Sequence, residues 1–447
     1  MSGQTVSEFG SAVTGFALPW LLLKLTGSAM QMGLAFAVMM VPYLLVSLPA
    51  GVYADRWNRK SLMMIADAGR LLLILSIPIA HALGRLSLGQ IYVVLIFMGA
   101  CNALFDAAYV ACLPNIVAKE QLRQANAGLQ SGVSTSQIMG PALAGVLVGW
   151  LGTTNTLYID SASFAVSILS LLYIRRPFSA NRDHPSQGRM FVQIAEGLRF
   201  VWGHRLVRLI SLFTMTLNIA SSAASAVLMY HMERDLHFSA QWVGLVMAGM
   251  SVGTVLGSIV AGLIPDKIPM GKIMAASLAV QVIPMFVFAF APWAVALAVA
   301  NFLLGFTGVN WNVQSVSLRQ SVIPDRLLGR ASSAIRLVAW GAMPFGSAVG
   351  GGLGQLIGAP TVLASAGLVQ AGSFIAGFFT PLFHTGPQTA LSHAGPTQAS
   401  PTQAGPMQAG STQAGQQSES LITGSPEHPS ANTSATLFEG GQTLPYD

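Results

Sequence analysis

Residues 29–60 read AMQMGLAFAVMMVPYLLVSLPAGVYADRWNRK, a run with no charged residue before Asp55, closed by a block that holds one acid and three bases. About 20 apolar residues suffice to cross the hydrocarbon core of a bilayer as a helix. Pro42 and Pro49 do not disqualify the run, because neighbouring helices re-satisfy the backbone groups that proline frees. An uncharged stretch delivered into a compact charged block is a membrane span ending at one face of the bilayer.

Working outward, the pattern recurs twelve times, near 2–24, 29–53, 62–84, 88–112, 129–151, 156–175, 206–231, 240–264, 272–291, 293–318, 329–353 and 359–383. Composition agrees. The 447 residues are 53% hydrophobic and only 9% charged, against about 25% charged in a soluble chain, so a soluble enzyme is excluded. Cys101 and Cys112 stand on one expected helix about 16 Å apart, too far to bridge, and offer no zinc-ligand spacing. No metal site and no cofactor is expected. No P-loop sequence occurs, which removes direct ATP hydrolysis.

The basic residues assign the faces. Seventeen of the 22 fall in alternate connections, including Arg56, Arg59, Lys60, Lys119, Arg123, Arg182, Lys267, Lys272, Arg319 and Arg326, against Lys24, Arg85 and Arg234 on the other side. The positive-inside rule puts the rich face and both termini in the cytoplasm of a bacterial cell, in its inner membrane. The net charge of +6 therefore reads as topology, and nucleic acid is not an expected partner. In the connection 176–205, Phe191, Ile194, Leu198 and Val201 share one helical face, with Arg189 and Arg199 available to phosphates, which predicts an amphipathic helix on the cytoplasmic leaflet. From 384 to 447 the chain has no Lys or Arg and repeats a five-residue unit in PTQASPTQAGPMQAGSTQAG. Such composition cannot bury a core and predicts a disordered cytoplasmic tail.

The chain also repeats itself. GVYADRWNRK (51–60) and GLIPDKIPMGK (262–272) align Gly51 with Gly262, Asp55 with Asp266 and Arg56 with Lys267 at an offset of 211. LPNIVAKEQLRQANA and LRQSVIPDRLLGRASS align Leu113 with Leu318 and Glu120 with Asp325 at an offset of 205. Two features at near-equal offsets argue for two homologous six-helix halves, with a site between them, as in secondary transporters. The expected domains are 1–175, a linker 176–205, 206–383 and the tail.

The loop Gly51-x-x-x-Asp55-Arg56-x-x-Arg59-Lys60 resembles the signature loop of the major facilitator superfamily. ALPWLLLKLTGS (17–28), FDAAYVACLPNIV (105–117), LRQANA (122–127), GPALAG (140–145), GLRFVW (197–202) and VIPDRLLGRASSAIR (322–336) resemble its drug-exporter branch, which includes macrolide and enterobactin exporters. The resemblance covers about 1–383. It implies an all-α fold of two pseudo-symmetric six-helix bundles that rock about a central cavity, exporting a small-molecule substrate, usually against protons. It also implies a conformational latch. Asp55 would face the start of span eleven near Gly329, Arg59 would pair with an acid on span four, and Gly51, Arg56, Lys60, Asp266 and Lys267 complete the motif. Three departures stand out. Met1 lies almost at the first apolar residue where a short basic leader is usual, span four lacks the basic residue of many proton antiporters, and Pro265, Pro269 and Met270 degrade the second loop motif.

Charges inside spans are costly and mark function. At 1.5 Å per residue, Glu8, Asp67, Arg70, Asp106 and Arg336 fall in one layer of the inner half, about 9–13 Å from a span end where that end is fixed. Three acids face two bases, so either Arg59 reaches in or one carboxyl holds a proton. Asp67 and Arg70, at i and i+3, could neutralise each other. Asp106 could serve Arg59 or titrate. Glu8 has no same-helix partner and is the first choice for a proton or cation carboxylate, with Arg336 neutralising an acid. Asp160, one turn from an outer span end, reads as structural. Gly140, Pro141 and Gly145 give span five a small-residue face that packs or gates. His81 and His231 lie near outer span ends and read as solvated. Phe16, Trp20, Tyr109, Trp311 and Trp340 either line an amphiphile cavity or pack.

The expected protein is a monomeric exporter of amphipathic or hydrophobic small molecules, proton-coupled, and not an enzyme. A dedicated exporter of a siderophore or other metabolite, and a receptor or assembly partner using the tail, are the alternatives.

Overall fold

A computed structural model describes residues 2–116, 122–174, 190–265 and 267–384, and among them every regular element is helical. The helices are α1 (Ser2–Thr26), α2 (Ala29–Arg56), α3 (Arg59–Ala82), α4 (Leu88–Ile116), α5 (Leu122–Leu151), α6 (Thr153–Tyr173), α7 (Met190–Gly203), α8 (Arg205–Tyr230), α9 (Ala240–Leu263), α10 (Met270–Phe290), α11 (Ala294–Val322), α12 (Asp325–Gly341), α13 (Met343–Ile357) and α14 (Ala359–Phe378). Ten of these helical stretches are long and apolar enough to cross a membrane. The 30-residue α5 and the pair α12–α13 complete a twelve-span bundle.

Local chemistry sets the ends. Ser28 Oγ accepts from Gln31 N and starts α2, while Asn58 Oδ1 accepts from Lys60 N and Ser61 N and starts α3, each satisfying amides that no helix turn can reach. Span eleven is not continuous. It breaks at Ala342 between α12 and α13, because Pro344 at the start of α13 has no N–H to give the preceding turn.

α1 packs on α5 and α6, α2 on α4, and α3 on α4 and α6; in the second half α8 packs on α13 and α14, α9 on α11, and α10 on α11 and α14. The two most extensive crossings between the halves are α5 with α9 and α2 with α13. Each is a glycine contact. A Cβ on Gly145 would stand 2.5 Å from the Ala240 carbonyl and 3.1 Å from Gly244 Cα, and one on Gly33 would stand 2.8 Å from Gly351 Cα. The repeat relates these contacts, since Gly33 maps to Gly244 at 211 and Gly145 to Gly351 at 206. The connections before α6 and α14 also match, as Gly152 (φ +82°) and Gly358 (φ +86°) hold the same left-handed backbone at an offset of 206.

The amphipathic α7 forms as its pattern predicts but is not free for the leaflet. Val201 and Leu198 pack with Leu206, Ala331, Ala334 and Ile335, and Arg330 Nη1 donates to Glu196 Oε2 at 2.5 Å. The carbonyl of Arg330 presses so close to Gly197 that a Cβ there would stand 2.3 Å away. Its apolar face is taken by α12, because a preformed apolar partner competes with lipid. The side chains of Phe191 and Ile194, with Arg189, Lys119, Arg182 and the tail from 385, lie outside the described residues.

Candidate functional site

Asp67 is fully buried on α3. Its Oδ1 accepts from Arg70 Nη1 at 3.2 Å and its Oδ2 from Ser167 Oγ of α6 at 2.6 Å. Arg70 Nη2 also donates to the Cys101 carbonyl at 3.4 Å, and the guanidinium lies 4.4 Å from the Phe105 ring centre and 5.6 Å from that of Phe164. The expected i,i+3 pair is present. Three helices close around it, so each charge carries both an ionic partner and a second neutral contact, the condition under which a buried pair is tolerated.

Beside this pair lies a chamber of about 340 Å³ lined by Glu8, Ser11, Tyr43, Arg70, Asn102, Asp106 and Trp340 among others. Asp106 Oδ2 accepts from Tyr43 Oη of α2 at 3.2 Å, rather than pairing with Arg59. Glu8 does have a same-helix partner, since Gln4 one turn earlier donates to its Oε1 at 3.0 Å; the partner is neutral and leaves the charge uncompensated. Arg336 pairs with no acid among the described residues. It is exposed on α12, its guanidinium 5.8 Å from the Trp340 ring centre, where a ring face replaces the carboxylate the spacing suggested. Glu8, Asp67, Arg70 and Asp106 are thus brought together, and Arg336, with no acid as partner among the described residues, lies within electrostatic range of Tyr43 beside them.

A second, larger cavity of about 580 Å³ shares Met39, Met40 and Trp340 with the chamber and runs between α2 and the second half. Its wall is mostly apolar, with Phe36, Leu217, Met285, Phe288 and Trp311, and carries Gln281, Asn301 and Asn312 as neutral polar groups. The volume and lining suit a drug-sized amphiphile. Of the five aromatics, Trp311 and Trp340 face it; Phe16 and Trp20 are buried in the core and stack at 5.8 Å, and Tyr109 stacks on Phe105.

At the signature loop, Gly51, Asp55 and Arg56 lie on the last turns of α2, with nothing described of the side chains, and Asp266 lies outside the described residues. Arg59 is buried, Lys60 Nζ donates to the carbonyls of Ile174 at 2.8 Å and Leu172 at 3.3 Å, and Lys267 is exposed. Gly140 packs on Ala12 of α1, Gly145 on α9, and the Pro141 carbonyl against Gly244. The small-residue face of span five therefore serves two helices at once.

The opposite ends of the spans hold a contact that sequence reasoning missed. Lys24 Nζ of α1 meets Glu233 Oε1 at 2.6 Å, Arg234 Nε meets Glu233 Oε2 at 3.2 Å, and Ser28 Oγ donates to Gln355 Oε1 at 3.0 Å. The Lys24 and Ser28 bonds join the first half to the second, and Arg234 holds Glu233 from within the second. Glu233 belongs to a π-helical turn, His231–Asp235, of the kind that recurs at functional sites. His231 is buried against Asp235 at 2.6 Å and not solvated, whereas His81 is exposed. Tyr43 and Ser167 were also missed; partners 63 and 100 residues away leave no local pattern, although an acid in a short connection on the base-poor face was a readable signal for Glu233. Asp160 sits two turns, not one, from the start of α6 and is fully buried.

Comparison with known proteins follows this geometry. A family model described as a transmembrane secretion effector matches residues 2–401. The chain is 26% identical over 362 residues to the multidrug efflux pump Tap of Mycobacterium tuberculosis, covering 78% of this chain and 84% of that one. It is 25% identical over 374 residues to the enterobactin exporter EntS of Salmonella typhimurium, covering 83% and 88%. In fold it resembles the nucleoside transporter NupG, with a TM-score of 0.68 at 14% identity over 85% of this chain and 97% of that one. It also resembles a bacterial homologue of the iron transporter ferroportin in an inward-facing state, with a TM-score of 0.64 at 16% identity over 84% and 96%.

Proposed function

The chain belongs to the transmembrane secretion effector family of the major facilitator superfamily, and on that premise we propose that it expels amphipathic or hydrophobic small molecules in exchange for protons. Efflux of a drug or siderophore by a multi-pass membrane transporter is the activity its relatives share. One observation carries the finer reading: a chamber holding Glu8, Arg70 and Asp106 opens beside a 580 Å³ apolar cavity, with Met40 and Trp340 in both walls. A titratable site next to an amphiphile site lets the occupancy of one bias the other.

Bundles 1–175 and 206–383 rock about the glycine crossings, with 176–205 as the cytoplasmic link and both termini in the cytoplasm of a bacterium. Asp55 favours the positive N-terminal end of α12 and stabilises one state of the rocking equilibrium. The protein works as a monomer, and its tail from 384 takes no part in transport.

The test is accumulation of ethidium and a panel of antibiotics in an efflux-deficient host, with and without an uncoupler. Lowered accumulation that the uncoupler abolishes supports the proposal. Export that survives the uncoupler would remove proton coupling. A second reading, a dedicated siderophore exporter, is favoured by the match to the enterobactin exporter; export of a catecholate siderophore with no change in any panel compound would select it.

A further inference from the structure

Asp160 on α6 lies outside the charged chamber and has no completed set of partners. Its side chain is fully buried, seven residues into α6, about 10 Å from the helix end. α1 is held against it by Gly10, where a Cβ would stand 2.5 Å from Asp160 Oδ1. Ser163 Oγ, with one proton, serves both Asp160 Oδ1 at 3.1 Å and the Asp160 carbonyl at 2.8 Å. Asp160 Oδ2 and Thr14 Oγ1 make no hydrogen bond of full geometry, although Thr14 of α1 stands close enough to the carboxyl to exchange one with it.

No base touches this carboxyl. Of the helices packed on α6, α1 brings Glu8, α3 brings Asp67 and Arg70, and α5 brings no titratable group among its described side chains. Lys24, Arg59, Lys60 and His81 sit at helix ends, and Tyr158 and Tyr173 are on α6 itself. Arg70 is within electrostatic range, but its contacts are with Asp67 and the Cys101 carbonyl. An ionised carboxylate at this depth, with hydroxyls at Ser163 and Thr14 but no base in contact, bears much of the cost of burying a charge. A protonated one bears little of it, and its Oδ2–H can donate to Thr14 Oγ1.

Access exists. Asp160 and Thr14 line a cavity of about 130 Å³ that shares Ser11, Met39 and Asn102 with the charged chamber, room for a few water molecules beside polar groups. Glu8, Ser11 and Thr14 recur every three residues along α1 and rise from the chamber to Asp160. A metal cation would need about six oxygen ligands; Asp160, Thr14 and Asn102 supply too few.

We propose that Asp160 is the proton-binding acid of the transport cycle, loaded through the chamber along Glu8, Ser11 and Thr14. The proposal rests on the proton-exchange reading. A proton passes from cavity water to Asp160 Oδ2 and returns to water when the bundles open to the other side.

The experiment is infrared difference spectroscopy of the purified full-length protein in lipid between acid and alkaline pH, paired with uncoupler sensitivity of ethidium and antibiotic efflux in cells. A buried protonated-carboxyl band is expected in the wild type, lost in Asp160→Asn, and shifted in Thr14→Val because a hydrogen bond to the carboxyl is removed. A structural aspartate would give neither change. The band persisting in Asp160→Asn overturns the proposal, and leaves the proton-exchange reading intact if wild-type efflux is still abolished by the uncoupler. Loss of the band with wild-type efflux insensitive to the uncoupler means that the acid is protonated but the exchange reading fails. A band that appears only when sodium is withdrawn would assign the site to sodium and overturn the proposal as well.

Discussion

Carried from the first half to the second at the offset of 211, Asp67 and Arg70 fall on Leu278 and Gln281, and at 206 Asp160 falls on Ala366. The backbone plan is shared, down to the glycine crossings and the left-handed turns at Gly152 and Gly358, yet the polar chemistry is not. The first half buries ionisable groups. The second buries amides: Asn301 donates to Leu297 O at 3.2 Å, Asn310 to Phe306 O at 2.7 Å and to Gly257 O at 3.3 Å. An amide needs only a carbonyl one turn away, whereas an ion needs a counter-ion or a proton. The division sets a chamber lined by ionisable groups in one bundle against a cavity wall of neutral amides in the other, whose own ionisable groups are the exposed Arg336 and, at the helix ends, Glu233 and the His231–Asp235 pair among others.

The largest expected effect breaks the charged half. Arg70→Leu leaves Asp67 buried without its ion, a cost of about 3–5 kcal/mol. Folded protein should largely disappear when yield and thermal unfolding are measured in detergent. Asp67→Asn combined with Arg70→Gln should restore much of it. Gln281→Leu, the matching change in the second half, replaces a buried neutral amide and strands no charge, so stability should stay within about 1.5 kcal/mol. Equal losses at Arg70 and Gln281 would dissolve the comparison.

Next are the crossings that the two halves share. Gly145→Leu and Gly351→Leu place a side chain where backbone from the other half already stands, at an overpacking cost of about 1–3 kcal/mol. Both should abolish efflux while the protein still inserts. Because the repeat relates the two positions, their effects should be similar, and a variant that transports normally at either one would show that its crossing is not a working surface.

Much of this was legible in the sequence. Uncharged runs gave the spans and the offset between loops gave the two halves, because both depend on local composition. The Asp67–Arg70 pair was readable for the same reason, three residues being one helical turn. What stayed hidden was contact across helices. Ser167 on Asp67, Tyr43 on Asp106 and α12 on α7 depend on rotation of one helix about its axis against another, which hydropathy does not encode. On the same grounds Arg336 meets the Trp340 ring rather than an acid, and the approach of Gly10 and Thr14 to Asp160 comes from a different helix. The break at Pro344 was visible as a residue, but span five tolerates Pro141 within one helix, so proline alone did not decide it.

A smaller effect should come from Asp55→Asn at the signature loop. On the proposed latch it removes a charge set against the N-terminal end of α12, an interaction of about 0.3–1 kcal/mol when exposed and up to about 2 when partly buried. Efflux should fall several-fold with membrane insertion unchanged. Asp266 is the matching acid in the degraded motif of the second half, and Asp266→Asn should fall less. A larger loss at Asp266 would reverse the assignment of the working latch to the first half.

The smallest effect belongs to the ion pair between the halves. Lys24 is half exposed and Glu233 largely buried, and an exposed pair contributes about 0.2–1 kcal/mol. Breaking it with Lys24→Ala should favour separation of these helix ends by no more than about fivefold, since 1.4 kcal/mol is a factor of ten. Because Arg234 also holds Glu233, Glu233→Gln should act more strongly than Lys24→Ala. The measurement is the reaction rate of a cysteine at Gln355, which bonds Ser28 across the same gap, with an impermeant thiol reagent. Faster labelling in both variants, with Glu233→Gln ahead, makes this pair the clasp that opposes the signature loop at the other end of the molecule. Unchanged labelling would reduce it to a surface contact, and leave the two glycine crossings as the contacts that set how the halves meet.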